Sequence, residues 1–164
     1  MAKAGGGRAN NVFTPTEGNG ARPTSAKENP QLDYLFRTRS QVTRARRREE
    51  RLMQCYRDWL SKKHRALQIM VYAGRFRCDG YDVVRRNLIE AKSSANREYI
   101  RMAVGQLLDY SYLSKEAGYK PPHLAILLPE RPLKQIETWL ASHAIGIIFP
   151  AKGAFVDNAR GQFV

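Results

Sequence analysis

The residues best suited to chemistry lie between positions 76 and 110, FRCDGYDVVRRNLIEAKSSANREYIRMAVGQLLDY. Read as strand, tight turn, strand and helix, this stretch puts Asp79, Glu90 and Lys92 at the ends of two paired strands. Gln106 and Tyr110 stand one turn apart on the helix that follows. If Arg85 and Arg86 form a two-residue turn, Val84 faces Asn87, Tyr81 faces Glu90 and Asp79 faces Lys92. Side chains alternate along a strand, so Asp79, Glu90 and Lys92 then project to one side. A three-residue turn would instead bring Asp82 opposite Glu90, which leaves the first acid as Asp79 or Asp82. Gly80 favours Asp79, because glycine permits the bend or bulge by which a sheet re-aims a side chain.

Two carboxylates so spaced would hold Mg²⁺ through oxygen, the ligand this hard cation prefers, with Mn²⁺ able to substitute. Such an ion polarises a phosphoryl group and lowers the pKa of a bound water. Lys92 would orient that water or help deprotonate it, and offset the charge of the transition state. A glutamate and a lysine two apart on a strand are more often a solvated pair. Here they interrupt an apolar run, where a charge is costly unless it has a partner or a task.

The whole chain suits a polyanionic partner. Its 164 residues carry a formal net charge of +13, with a pI near 10.1. That balance points to nucleic acid ahead of a membrane surface. Seven arginines (37, 39, 44, 46, 47, 48 and 51) crowd residues 37 to 51 against Glu49 and Glu50. Most charge runs are solvated helix faces, but arginine without lysine favours phosphate contact through its planar fork. Arg44, Arg46, Arg47 and Arg48 are the nucleic-acid contacts expected there. Arg97 and Arg101, one turn apart on a later helix, are further candidates. Two cysteines, Cys55 and Cys78, have no metal-site spacing and read as reduced core thiols. No apolar run approaches the ~18 residues of a membrane span, and no secretory h-region opens the chain. A cytoplasmic protein is expected.

The elements that must position these residues follow from periodicity and punctuation. Residues 1 to 30 are poor in apolar groups and read as a disordered tail or linker; residues 31 to 164 read as one domain. Residues 31 to 63 read as helical, with Leu32, Leu35 and Phe36 opening an apolar face and Leu52, Met53, Tyr56, Trp59 and Leu60 continuing one. Residues 66 to 72, 75 to 84 and 88 to 94 read as an antiparallel meander, with Asn87 the left-handed residue of its second turn. A helix follows from an Asn96 or Ser94 cap to about Ala117, closed by Gly118; its expected apolar positions include Ile100, Ala103, Val104, Leu107, Leu108 and Leu113. His123 to Leu128 is a run suited to a strand covered on both faces. A helix from about Leu133 to Ser142 leads to a strand at Ile145 to Phe149, parallel to the one before. Phe155 to Asp157 would add an edge hairpin. The fold class is α/β: a central mixed sheet, the three-strand meander plus later strands, with helices on both faces.

The pattern Asp79, Glu90-Ala91-Lys92 and Gln106-x-x-x-Tyr110 resembles the PD-(D/E)xK nuclease superfamily, and most nearly its RecB-like branch. The element order resembles that family's restriction-endonuclease-like core over about residues 48 to 150. The resemblance implies a Mg²⁺-dependent deoxyribonuclease, with Asp79 and Glu90 as metal ligands and Lys92 as the catalytic lysine. Gln106 and Tyr110 would position substrate or support the site. It further implies an acid from the first helix, for which Glu49 is the best match and Glu50 the reserve. The chain departs from the motif in having Cys78 where the family's proline stands. DNA is favoured over RNA, and a homodimer or an upstream or partner specificity subunit would suit such an enzyme.

Other chemistries find no footing. His64, His123 and His143 are scattered, and Gly5-Gly6-Gly7 lacks the Lys-Ser/Thr of a phosphate loop. The rival to the nuclease is a catalytically silent module that binds nucleic acid or protein through its basic helix, with Glu90 and Lys92 as a structural pair.

Overall fold

The computed structural model describes residues 39–72 and 74–164. The expected tail over residues 1 to 30, and the start of the first helix at 31, lie outside the described residues. Helix α1 spans Arg39–Ser61, α2 Arg97–Glu116 and α3 Lys134–Ser142. The strands are β1 Val71–Tyr72, β2 Phe76–Arg77, β3 Gly80–Asp82, β4 Asn87–Ala91, β5 His123–Leu127, β6 Ile145–Ala151 and β7 Ala154–Asp157.

The main sheet has five strands in the order β3-β4-β5-β6-β7. Strands β4, β5 and β6 run parallel, and β3 and β7 close the edges antiparallel. All five residues of β4 are buried, as a strand covered on both faces must be. Alternation divides the sheet's apolar side chains into two layers. Ile89, Ala91, Ala125, Leu127 and Ile148 pack with Met53, Tyr56 and Leu60 of α1. Leu88, Leu124, Ile126 and Ile147 pack with Ile100, Ala103 and Leu107 of α2 and with Ile136 and Leu140 of α3. Spacings of three and four residues make each helix apolar on one side, which explains the three-layer build.

Helix α2 ends as the sequence signals. Gly118 takes φ +81°, its N–H reaches Lys115 O at 2.9 Å, and the Tyr119 N–H reaches Ser114 O at 3.0 Å. Leu108, expected inside, is exposed, and Tyr110 and Ser114 take the inward positions instead.

The meander is corrected in two respects. Its first strand is not a strand of the main sheet: β1 and β2 form a separate two-stranded hairpin, and residues 66 to 70 keep a bridge from Gln68 to Tyr81 and a bond from the Cys78 N–H to Met70 O. Ile69 and Val71 are exposed while Tyr72 is buried, the alternation of an edge hairpin rather than of a strand buried on both faces. Secondly, β3 and β4 pair as Gly80↔Ile89, Tyr81↔Leu88 and Asp82↔Asn87. Their connection is the loop of residues 83–86 rather than a turn of two or three residues. The favoured two-residue hairpin turns need positive φ at one or both central positions, which Arg-Arg resists. Asp82 Oδ1 instead accepts the Arg85 N–H at 3.0 Å, and only Arg86 takes positive φ, at 55°. Asn87, expected as the left-handed turn residue, is a buried strand residue bonded to Gln162.

Candidate active site

The bulge expected beside Gly80 is present. Val71 faces Arg77 and Gln68 faces Tyr81, so residues 69 and 70 stand opposite the three residues 78 to 80. The extra residue bends the chain at Asp79 and turns its carboxylate toward the end of β4. Asp79 Oδ2 accepts the N–H of Ala91 at 2.8 Å, and Arg57 of α1 donates to the Asp79 carbonyl at 2.7 Å. Asp79 is therefore held by the strand beside it and by the helix above it.

Glu90 and Lys92 are both buried and paired, Lys92 Nζ donating to Glu90 Oε1 at 2.7 Å. The other oxygen, Glu90 Oε2, is buried with no hydrogen-bond partner. Burial pushes the Glu90 carboxyl up to about 7; the negative charge of Asp79 adds to this, Lys92 opposes it, and Glu49 raises it further. Glu49 Oε1 accepts the Ser93 N–H at 3.0 Å, so α1 is tied to the backbone just past Lys92.

Glu49, Asp79, Glu90, Lys92 and Gln106 line one open cleft of about 760 Å³. It lies where β4 ends, on the side of an α/β sheet where ligands characteristically bind. Gln106 Oε1 is a second buried oxygen with no partner. Tyr110 does not line the cleft. Its hydroxyl donates to Arg77 O at 3.1 Å and its ring stacks on Tyr72 at 5.3 Å, so it braces the β1–β2 hairpin against α2. Its hydroxyl pKa is raised, by burial first and then by the charge of Glu90.

Asp82 stands apart from the cleft. Arg65 grips its Oδ2 through Nε at 3.1 Å and Nη2 at 2.8 Å, which spends its charge on the β3–β4 loop. Arg46 and Glu50 line the cleft's outer wall and pair with each other at 3.3 Å, both well exposed. Arg44, Arg47 and Arg48 are exposed on α1, and Arg97 and Arg101 on α2. The cysteines differ from expectation in one case: Cys78 is buried, its thiol pushed up to about 11 by desolvation, but Cys55 is exposed.

Arg57 and Arg77 line the cleft without having been singled out. Arg57 was legible, since Glu49, Met53 and Arg57 follow one another at intervals of four along a single helix stripe. Arg77 carried no such signal, because its place depends on the bulge.

Carboxylate oxygens are the right donors for a hard cation, and Glu90 Oε2 has its bonding capacity unused. Among the described residues, however, no three His, Cys, Asp or Glu side chains gather closely enough to hold a metal by themselves. Each acid has one oxygen engaged, on Ala91, Lys92 or Ser93. The donor set therefore fits a cation held by two carboxylates and completed by water and phosphate, a mode usual for Mg²⁺. Comparison with protein-family models, with curated proteins and with solved structures finds no match for this chain.

Proposed function

We propose that the chain is a Mg²⁺-dependent deoxyribonuclease with a restriction-endonuclease-like core of the PD-(D/E)xK type. The observation that carries this reading is the buried, unpartnered Glu90 Oε2 beside Asp79 and Lys92 in an arginine-walled cleft. Asp79 and Glu90 would hold the ion, with Mn²⁺ as a substitute. When bound, it would polarise the phosphodiester and activate water.

The chain's own residues have separate tasks. The Arg57 bond to the Asp79 carbonyl and the Ala91 bond to its carboxylate fix the first acid. Lys92 keeps Glu90 turned inward and brings positive charge to a cleft where negative charge grows during cleavage. Glu49 secures the backbone at Ser93 and adds a third negative group to the wall. Arg44, Arg46, Arg47, Arg48, Arg97 and Arg101 supply affinity for the phosphate backbone without reading sequence. Specificity then comes from substrate structure or a partner.

A silent binding module of the same fold is the second reading. It is favoured by the closed Glu90–Lys92 pair and by the absence of a ready-made three-acid cluster among the described residues.

The test is cleavage of supercoiled plasmid and labelled single-stranded DNA in Mg²⁺, Mn²⁺ and EDTA. Wild type is compared with Glu90→Gln and Lys92→Ala. Metal-dependent cleavage lost in both variants is the expected result. Firm DNA binding with no cleavage in either metal selects the silent module.

A further inference from the structure

A second groove of about 530 Å³ adjoins the cleft, with Gln106 and Met102 lining both. Its walls are Phe76 of the β1–β2 hairpin and Met102 of α2, which are 36% and 53% exposed. Together Phe76 and Met102 give the groove an apolar lining beside the cleft. The charges around them narrow the choice of occupant. The Arg75 guanidinium lies 4.6 Å from the Phe76 ring centroid, and Arg101 lines the groove from α2. Asp109, which also lines the groove from α2, disfavours a phosphate within the groove itself.

Gly105 is a further pointer. It lies within α2, exposed, and a Cβ built on it would meet nothing within 4 Å. Its φ is not positive, so neither packing nor backbone conformation calls for glycine. Glycine is the weakest helix former after proline, and its one visible effect here is to leave the groove unobstructed.

We infer that this groove receives an unpaired nucleobase next to the phosphate in the cleft, which makes single-stranded or frayed DNA the substrate class. The inference rests on the nuclease reading for the neighbouring cleft. An apolar slot with an aromatic edge stacks any base, and cations at its rim meet the phosphates on either side. A duplex keeps its bases stacked on each other and cannot offer one without unpairing it.

The test is fluorescence-anisotropy binding in EDTA, so that no cleavage intervenes. The probes are a short labelled single strand, the same strand with an abasic position, and the corresponding duplex. Phe76→Ala and Gly105→Leu should weaken single-strand binding by about tenfold, the scale of one stacked base. Duplex binding should stay unchanged, and Phe76→Tyr should restore the loss. Leucine is a better helix former than glycine, so Gly105→Leu should melt no lower than wild type. Equal losses on single strand and duplex, or no loss in either variant, overturn the inference. Metal-dependent cleavage whose strand preference ignores both variants removes the groove and keeps the nuclease. Strand-selective binding without cleavage in any metal keeps the groove as a base-binding site and removes the nuclease.

Discussion

Asp79 and Ala91 are joined by a hydrogen bond from the Ala91 N–H to Asp79 Oδ2 at 2.8 Å, so the first acid is pinned between Glu90 and Lys92. Asparagine can accept the same bond through its side-chain carbonyl without carrying charge. Asp79→Asn should therefore keep stability within ~1 kcal/mol of wild type. Plasmid cleavage should fall by about a hundredfold or more, as expected for a lost metal ligand. Cleavage that survives in Asp79→Asn would remove Asp79 from the site.

Glu90 gives the clearest dependence on pH. Its carboxyl is raised from 4.5 to about 7, chiefly by burial. Between those values the folded chain keeps a proton that the unfolded chain has lost, so this group's contribution to stability falls as pH rises through the window. Glu90→Gln should flatten that fall in urea titrations. Mg²⁺ requires the ionised form, so it should raise the melting temperature more above pH ~7 than below it. A Mg²⁺ effect independent of pH would contradict ligation by Glu90.

Asp82 and Arg65 predict the opposite pattern from Asp79. Their pair is nearly closed to solvent, at 3% and 13% side-chain exposure. Removing one partner of a buried pair costs about 3–5 kcal/mol. Arg65→Ala should lower the urea midpoint accordingly while leaving activity per folded molecule intact. Lost activity at unchanged stability would return Asp82 to the site.

The exposed arginines of α1 should act through charge alone. Each phosphate contact removed lowers the slope of log affinity against log salt by ~0.9 on duplex DNA. Arg47→Ala combined with Arg48→Ala should reduce the slope by up to about 2, with no change in melting temperature. An unchanged slope at unchanged affinity would show that this face does not touch DNA.

Much of the fold was legible, and what was missed has local causes. Strands β5, β6 and β7 and helices α2 and α3 are long or strongly periodic and are separated by Gly118, two prolines and the PERP run. The ends of β4 carry Glu90 and Lys92 into the cleft whichever register is chosen, so those two residues could be found from the strand alone. The register could not, because it is set by how Asp82 folds the loop that follows it. The first expected strand was read as a buried apolar run, whereas Ile69 and Val71 face water. Tyr110, expected to position substrate or to support the site, lies behind the cleft rather than in its lining. A helical interval of four predicts a shared face with Gln106, but not that Tyr72 and the Arg77 carbonyl would claim the ring and hydroxyl.

Tyr56 of α1 donates its hydroxyl to the carbonyl of Phe163, and both residues belong to the apolar layer beneath α1. The ring of Phe163 sits over Gly146, where an added Cβ would come within 2.4 Å of it. The helix that brings Glu49 and Arg57 to the cleft is thus seated on a residue 107 positions later in the chain. Contacts so distant in sequence form late, since the intervening loop must close before they bring any gain. The seat under the helix that carries Glu49 and Arg57 is therefore complete only once Phe163 has closed over Gly146, whereas Asp79 and Glu90 are brought together by the local β3–β4 pairing.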